Sequence, residues 1–219
     1  SLDNNRNTRS DEPGRDAQES SYLAFNASSS LNNAVIAEVA VGWVDSDIAY
    51  GYDEDWTFSG FHPFGYSSTD LYLRDVETRT ADIRLLSAPG QGLAAGVVDW
   101  VVGVYALDKD VDFSRDYTFA GGLFTSDFAI DRLALYGELA TKLSDSWRIS
   151  LGLRAEQHES DYTDSEAVRF APDDDLIGGR LLLERFLASG NMLYMSFTRG
   201  YKAGGFNTSS SLDADLREF

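Results

Sequence analysis

The sequence contains no cysteine. Disulfides, thiolate-bound zinc, iron–sulfur clusters and thiol catalysis are therefore excluded. Histidine is almost as scarce: only His62 and His158 occur, too few for a histidine-rich metal centre. Bases are outnumbered by acids, 18 Lys and Arg against 36 Asp and Glu, for a formal net charge of −18. A chain charged this way repels phosphate backbones, so nucleic acid is not an expected partner. Long apolar runs are missing too. The best candidate for a helical span, Gly92–Leu107, is shorter than the roughly 18–20 residues a bilayer crossing takes. It also carries Asp99 near its centre, at a cost of about 2.5–3.5 kcal/mol for membrane insertion. Its glycines and valines suit a strand better. Residues 1–20 are polar and lack the apolar core of a signal peptide, so the chain is expected to be mature or an internal fragment.

Apolar residues are nonetheless plentiful at 43% of the chain, and they recur with a period of two, the period of β-structure. In "WRISLGLRAEQH", Trp147, Ile149, Leu151, Leu153 and Ala155 fall on one face, against Arg148, Ser150, Gly152, Arg154, Glu156 and His158 on the other. "RLALYGELATKL" repeats this, with Leu133, Leu135, Gly137, Leu139 and Leu143 opposed to Arg132, Ala134, Tyr136, Glu138 and Lys142. "MLYMSFT" sets Leu193, Met195 and Phe197 against Tyr194, Ser196 and Thr198. The alternation predicts about eight strands, near 20–29, 34–51, 69–87, 97–115, 125–143, 147–161, 175–187 and 191–206.

The predicted connections alternate in length. Short or medium ones fall near 30–33, 88–96, 143–146 and 188–190; longer ones at 52–68, 116–124 and 162–174 hold Asp53-Glu54-Asp55 and Asp173-Asp174-Asp175. Short turns at one end and long polar loops at the other mark a transmembrane β-barrel. The polar strand face is too charged for a packed core, where each unpaired charge costs several kcal/mol. In a wide barrel the same charges line a wet or plugged lumen, and the apolar face meets lipid. Trp100 and Trp147 beside the shorter turns, and Tyr50, Tyr52, Trp56, Tyr162, Tyr201 and Phe206 at the other end, are expected in the interfacial girdles. Gly204-Gly205 is expected to let the last strand bend through a left-handed or bulged backbone.

"MLYMSFTRGYKAGGFN" resembles the "YxSxxxGYKAGGFN" stretch of TonB-dependent outer-membrane receptors of the iron-complex type. Further pieces follow in the order of that family. "GYDEDW" is similar to its acidic exit from an early strand, "TADIRLLS" to its "ExR" strand with Asp82 where Glu is usual, and "DWVVGVYALDKD" to its "WxxGxYxxxE" strand. "ALYGELATKLSDSWRISLGLRAEQHESDY" is similar to its "FGQxxYxxTDxxxxxxGLRYxxE" hairpin. The resemblance covers about residues 45–207. It implies an all-β, antiparallel transmembrane β-barrel segment, about eight strands of a barrel of about 22. It implies uptake of a scarce ligand, a ferric siderophore or similar iron complex, across the outer membrane of a Gram-negative bacterium. The barrel does no covalent chemistry; TonB pulls on a plug using inner-membrane energy. Outer-membrane lipid and lipopolysaccharide are the surroundings this implies.

On this reading residues 1–19 are a polar loop or tail, 20–206 the strands with short periplasmic turns and long extracellular loops, and 207–219 the beginning of an extracellular loop that stops short. Nothing in the chain corresponds to the plug or its TonB box. The alternative is a self-contained eight-stranded outer-membrane barrel with a structural or adhesive role, since eight strands close on side chains alone. A soluble sandwich that binds a ligand is the third reading.

No enzyme is expected: no catalytic residue, cofactor site or metal site stands out. The two acidic triplets lack the spaced ligands and glycine of an EF-hand loop and read as solvated loop charge, open to divalent cations that bridge to lipopolysaccharide. "GQGLAAG" lacks dinucleotide-loop spacing and no helical pattern follows it. His158, beside Glu156 and Arg154, reads as a lumen residue; His62, in "GFHPFG" with Phe61 and Phe64, is the one histidine placed to touch a ligand. For Arg148 and Arg154 two readings stand: attraction of an anionic ferric chelate, or contact with the acids of a plug. The ligand-binding residues are left unassigned.

Overall fold

In the computed structural model, residues 10–119, 122–206 and Leu216 are described. They form one antiparallel sheet. Its strands are β1 (Arg15–Ser30), β2 (Val35–Asp53), β3 (Thr69–Ser87), β4 (Val98–Tyr117), β5 (Gly122–Ser144), β6 (Trp147–Asp164), β7 (Arg169–Phe170), β8 (Asp173–Phe186) and β9 (Met192–Arg199). The order is β1-β2-β3-β4-β5-β6-β8-β9, with the two-residue β7 paired to the outer end of β6. Every long strand pairs with its neighbour in sequence, as short connections between antiparallel strands require. β1 and β9 do not pair with each other among the described residues, so the sheet is open. The eight long strands therefore do not make the closed small barrel that was the alternative expectation.

The cross-strand register carries the two-residue alternation across the whole sheet. Val39, Ile83, Val104, Leu135, Ala155 and Ile177 stand in one row of directly opposed residues on one face. The rows towards the short turns on that face hold Leu85, Val102 and Leu153, then Trp100, Leu139, Leu151, Leu181 and Phe197. Most of these side chains are exposed, Leu135 by 59%, while Val39 and Trp100 are half-buried. Above the band the same face turns acidic within one step: Trp43, Arg79, Asp108, Asp131, Glu159 and Asp173 share a row, and Asp47, Asp75, Asp112 and Asp127 share another. Like charges directly opposed weaken a sheet; Arg79, paired to Asp108 at 2.9 Å, and the surrounding water keep the cost of these rows small.

The strands outrun a bilayer. β5 has 23 residues, about 75 Å of extended chain, against the 9–11 or so a tilted crossing takes. This changes several expected bounds. β1 begins at Arg15, so Arg15–Glu19 pairs with Asp47–Gly51 instead of lying in a polar tail. The expected long connection 116–124 is mostly strand, since β4 and β5 stay paired up to Tyr117 opposite Gly122. The connection at 162–174 shrinks in the same way, through Asp164 and β7. Continued pairing satisfies backbone groups that a loop would leave to water. The last strand ends earlier than expected, at Arg199, and residues 200–206 leave the sheet. The expected loop from 207 lies outside the described residues, Leu216 excepted.

Residues 93–96 form a single left-handed turn before β4, with Ala94 at φ 53° and Ala95 at φ 59°. Its glycines are required by space: a Cβ on Gly92 would lie 2.0 Å from the Val98 carbonyl oxygen, and one on Gly96, at φ +90°, would lie 2.3 Å from the Gly90 oxygen. Left-handed backbone costs an L-residue roughly 1–2 kcal/mol. Ala95→Gly is therefore expected to stabilise the chain by up to about 1 kcal/mol, read as a higher urea midpoint at unchanged slope. A lower midpoint would refute the left-handed turn. No helix among the described residues is long and apolar enough to cross a membrane.

Candidate functional site

The second face of the sheet carries most of the ion pairs among the described residues; Arg79 with Glu77 and Asp108, and Arg169 with Asp161, stand in the acidic rows of the first. Towards the short turns, Arg84 donates from Nε to Glu38 at 2.7 Å, Arg180 to Glu138 at 3.0 Å, and Arg148 approaches Glu184 at 4.0 Å. Tyr136 donates its hydroxyl to Asp82 at 2.8 Å. It lies over Gly103, where an added Cβ would meet the Tyr136 ring at 2.5 Å. Small residues on this face thus make room for large neighbours on the next strand.

Two denser clusters occupy the end remote from the short turns. In the first, Asp70 is 1% exposed. Arg115 grips it with two bonds, Nε to Oδ1 at 2.8 Å and Nη2 to Oδ2 at 2.6 Å, and the Tyr72 hydroxyl donates to Oδ2 at 2.7 Å. The Arg115 guanidinium sits 5.0 Å from the Tyr72 ring centre and 4.8 Å from that of Tyr117. Tyr50, Tyr52, Tyr72 and Trp56 continue the rings outward. Trp56 is exposed and holds a left-handed backbone, φ 57°, a costly state for a bulky residue.

The connection 54–68 above this cluster is tied down by its own acids. Asp55 accepts from the backbone N–H of Thr57 and of Ser68, both at 2.8 Å, and Ser68 also bonds Glu54. Asp11 accepts from the Ser59 N–H. Burial pulls the Asp55 carboxyl upward, but its two backbone donors prevail and hold it below the usual carboxylate value. The Ser59 bond lowers Asp11 likewise. Groups depressed in the folded state add stability above their unfolded pKa and lose it as pH falls through the folded value. The loop is expected to stay ordered down to about pH 4 and to loosen below it, read as a change in Trp56 fluorescence. A change already complete at pH 6 would contradict this. At the tip, His62 lies against Phe64 and Tyr66, and Tyr66 stacks on Phe119 at 5.2 Å. Phe61 and Phe64 are exposed, Phe64 by 90%.

The second cluster is built by residues 200–206 folding back over the ion-pair face. Tyr201 donates to Glu156 at 3.0 Å and accepts from Arg154 Nε at 2.8 Å. Arg154 also bonds Glu156 and lies 5.1 Å from the Tyr105 ring centre. Gly178 clears the way: a Cβ there would come within 2.9 Å of the Tyr201 ring. The Gly204 N–H reaches Asp174 at 3.3 Å. Phe206 stacks on Phe170 at 5.3 Å and Tyr162 at 5.7 Å, with Phe128 at its edge.

Several expectations change here. Trp100 and Trp147 do lie in the apolar face near the short turns, in register with Leu139 and Arg185. Tyr50, Tyr52, Tyr162, Tyr201 and Phe206 do not make an outer girdle; all belong to the ion-pair face, where their hydroxyls and rings meet charged or aromatic partners. Gly204 and Gly205 are not among the residues with positive φ, so the chain departs from the sheet without left-handed backbone there. His158 is buried on the ion-pair face; His62 is not near it in sequence or in the clusters and stays in the outer loop. Arg148 and Arg154 have acidic partners of their own within the sheet. Neither Asp70 nor Arg115 stood out in the sequence: they lie 45 residues apart, and only the register of β3 with β4 unites them. Among the described residues no three His, Asp or Glu come together as a metal site.

A family model for TonB dependent receptor-like β-barrels matches residues 1–215. Two solved structures share the fold. The ferric yersiniabactin uptake receptor FyuA from Yersinia pestis superposes with a TM-score of 0.70 at 16% identity, over 90% of this chain and 30% of that one. The copper transporter OprC superposes with a TM-score of 0.63 at 16% identity, over 89% of this chain and 32% of that one. The chain thus spans about a third of the length of either protein, and the likeness shows an open segment of a larger barrel wall. No curated protein sequence matches.

Proposed function

We propose, from the premise that this chain belongs to the TonB-dependent receptor β-barrel family, that it forms part of the wall of an outer-membrane importer for a ferric siderophore or similar iron complex. The observation that carries the importer reading is the two-faced sheet. An apolar band faces outward, where hydrocarbon tolerates no charge, and an ion-paired face turns to the lumen. Members of the family are transporters of the Gram-negative outer membrane. On this reading the band meets lipid, the acidic rows stand above it among lipopolysaccharide headgroups, and the connection 54–68 is extracellular. The parent barrel has about 22 strands around a plug that TonB engages. The wall itself binds and positions, with no covalent step.

The iron-complex reading draws on the outer loop. Trp56, Phe61 and Phe64 offer exposed rings in this connection; Trp56 stacks on Tyr52 and His62 lies against Phe64. Flat exposed aromatic surface suits a chelate with aromatic metal ligands. FyuA takes up ferric yersiniabactin and OprC transports copper, so the cargo needs a direct test. The test is uptake of radioiron, offered as catecholate, hydroxamate and phenolate chelates and compared with copper(II), by cells with and without the full-length protein. Iron uptake that collapses when the proton gradient is dissipated supports the reading. Accumulation of copper alone removes the iron assignment, and uptake indifferent to the gradient removes energised import.

A further inference from the structure

We propose that Arg132, His158 and Ser160 form an oxyanion site in the ion-pair face, roofed by residues 200–206, that takes a carboxylate. Arg132 and His158 are directly opposed on β5 and β6, and Ser160 is the next residue of β6 on the same face. Among the described residues, three buried polar atoms here have no partner: Arg132 Nε, His158 Nδ1 and Ser160 Oγ. His158 is 3% exposed and Ser160 6%. An unmade bond of this kind leaves the full desolvation penalty of the buried group uncompensated, and more for a charged one.

The roof explains the burial. Its anchors are Tyr201 on Glu156 and Phe206 on Tyr162, and these residues flank His158 and Ser160 along the same face of β6. Between the anchors, the Gly204 N–H bonds Asp174, which stands opposite His158 on β8. The segment therefore crosses over the three unpartnered groups.

Charge selects the ligand. Arg132 has no hydrogen bond or ion pair among the described residues, although acids are close by. Glu156 is held by Arg154 and Tyr201, and Asp174 accepts from Gly204. A water would accept from the guanidinium N–H but would not neutralise it. A carboxylate does both: one oxygen accepts from Arg132 Nε–H, and the other from the Ser160 hydroxyl or from His158 Nδ1 carrying its proton. That carboxylate can belong to a side chain from another part of the longer protein or to a free small molecule. The site is independent of which cargo the importer carries, so its failure would leave that reading untouched.

The test is a structure of the full-length protein at a resolution that separates ions from water, in acetate and in chloride-only buffer, together with thermal unfolding of the wild type and Arg132→Gln. Density for a carboxylate against Arg132 Nε is expected. If it is continuous with the polypeptide, the source is internal, and Arg132→Gln lowers the midpoint while added acetate changes nothing. If it is separate and appears only with acetate, the source is free, and acetate raises the wild-type midpoint by about 2–4 °C but not that of the variant. Should Arg132→Gln fail to fold, Ser160→Ala read in the same acetate titration takes its place. Water alone at the site in both buffers, with no acetate shift, overturns the proposal.

Discussion

Arg115→Met is expected to destabilise the protein by about 3–5 kcal/mol, the range for stranding one partner of a buried ion pair. Asp70 is almost without solvent contact, and Arg115 supplies two of its hydrogen bonds and its only nearby countercharge among the described residues. Methionine keeps much of the side-chain volume and the contact with Tyr72 and Tyr117, so the loss isolates the charge. The double variant Asp70→Asn, Arg115→Met should recover a large part of it, because no ion is then left buried. Urea unfolding of the full-length protein in detergent measures both. A single variant within about 0.5 kcal/mol of wild type would mean that water reaches Asp70 freely, and the cluster would lose its claim to rigidity.

A charge moved along one face of one strand should reverse its effect. Leu135→Arg is expected to cost about 2–4 kcal/mol, the penalty for arginine at mid-depth on the lipid side of an outer-membrane barrel. Leu135 lies in the row of Val104 and Ala155, in the middle of the apolar band. Ala129 faces the same way on β5, six residues or about 20 Å further out. Its neighbours in register are Asp110 and Asp161. Ala129→Arg should be neutral or slightly stabilising, since it places a cation between Asp110 and Asp161, of which Asp161 has the exposed Arg169 at 3.4 Å. Equilibrium folding into lipid vesicles compares the two. Equal costs would deny that the band edge lies between the two positions, and with it the orientation of the wall.

The strands were legible because side-chain direction in a strand is set by the backbone itself, residue by residue. Leu133, Leu135 and Leu139 against Arg132, Tyr136 and Glu138 need no knowledge of the partner strand. The same holds for Trp100 and Trp147, whose position follows from the turns beside them. Strand ends were less legible. Arg15–Glu19 and Gly122–Phe124 are polar or mixed stretches that pair because a neighbour is already there. The tyrosines were placed on the wrong surface for a related reason. An aromatic near a loop fits a lipid girdle or a lumen wall equally well until the parity of the strand is known. Tyr201 adds a second difficulty, since it lies beyond the last strand, where parity no longer applies.

By itself, the sequence determined an all-β wall with one apolar and one charged face and its eight long strands. The family resemblance in "GYKAGGFN" was readable there as well. Only the tertiary structure decided which charges meet. Asp70 with Arg115, Tyr136 with Asp82, and Tyr201 with Glu156 and Arg154 join positions tens of residues apart, through registers that no local pattern encodes. It likewise decided that residues 200–206 turn inward, leaving Arg132 Nε, His158 Nδ1 and Ser160 Oγ beneath them without partners among the described residues. Periodicity is a property of one strand, whereas a buried polar contact is a property of two strands and the offset between them.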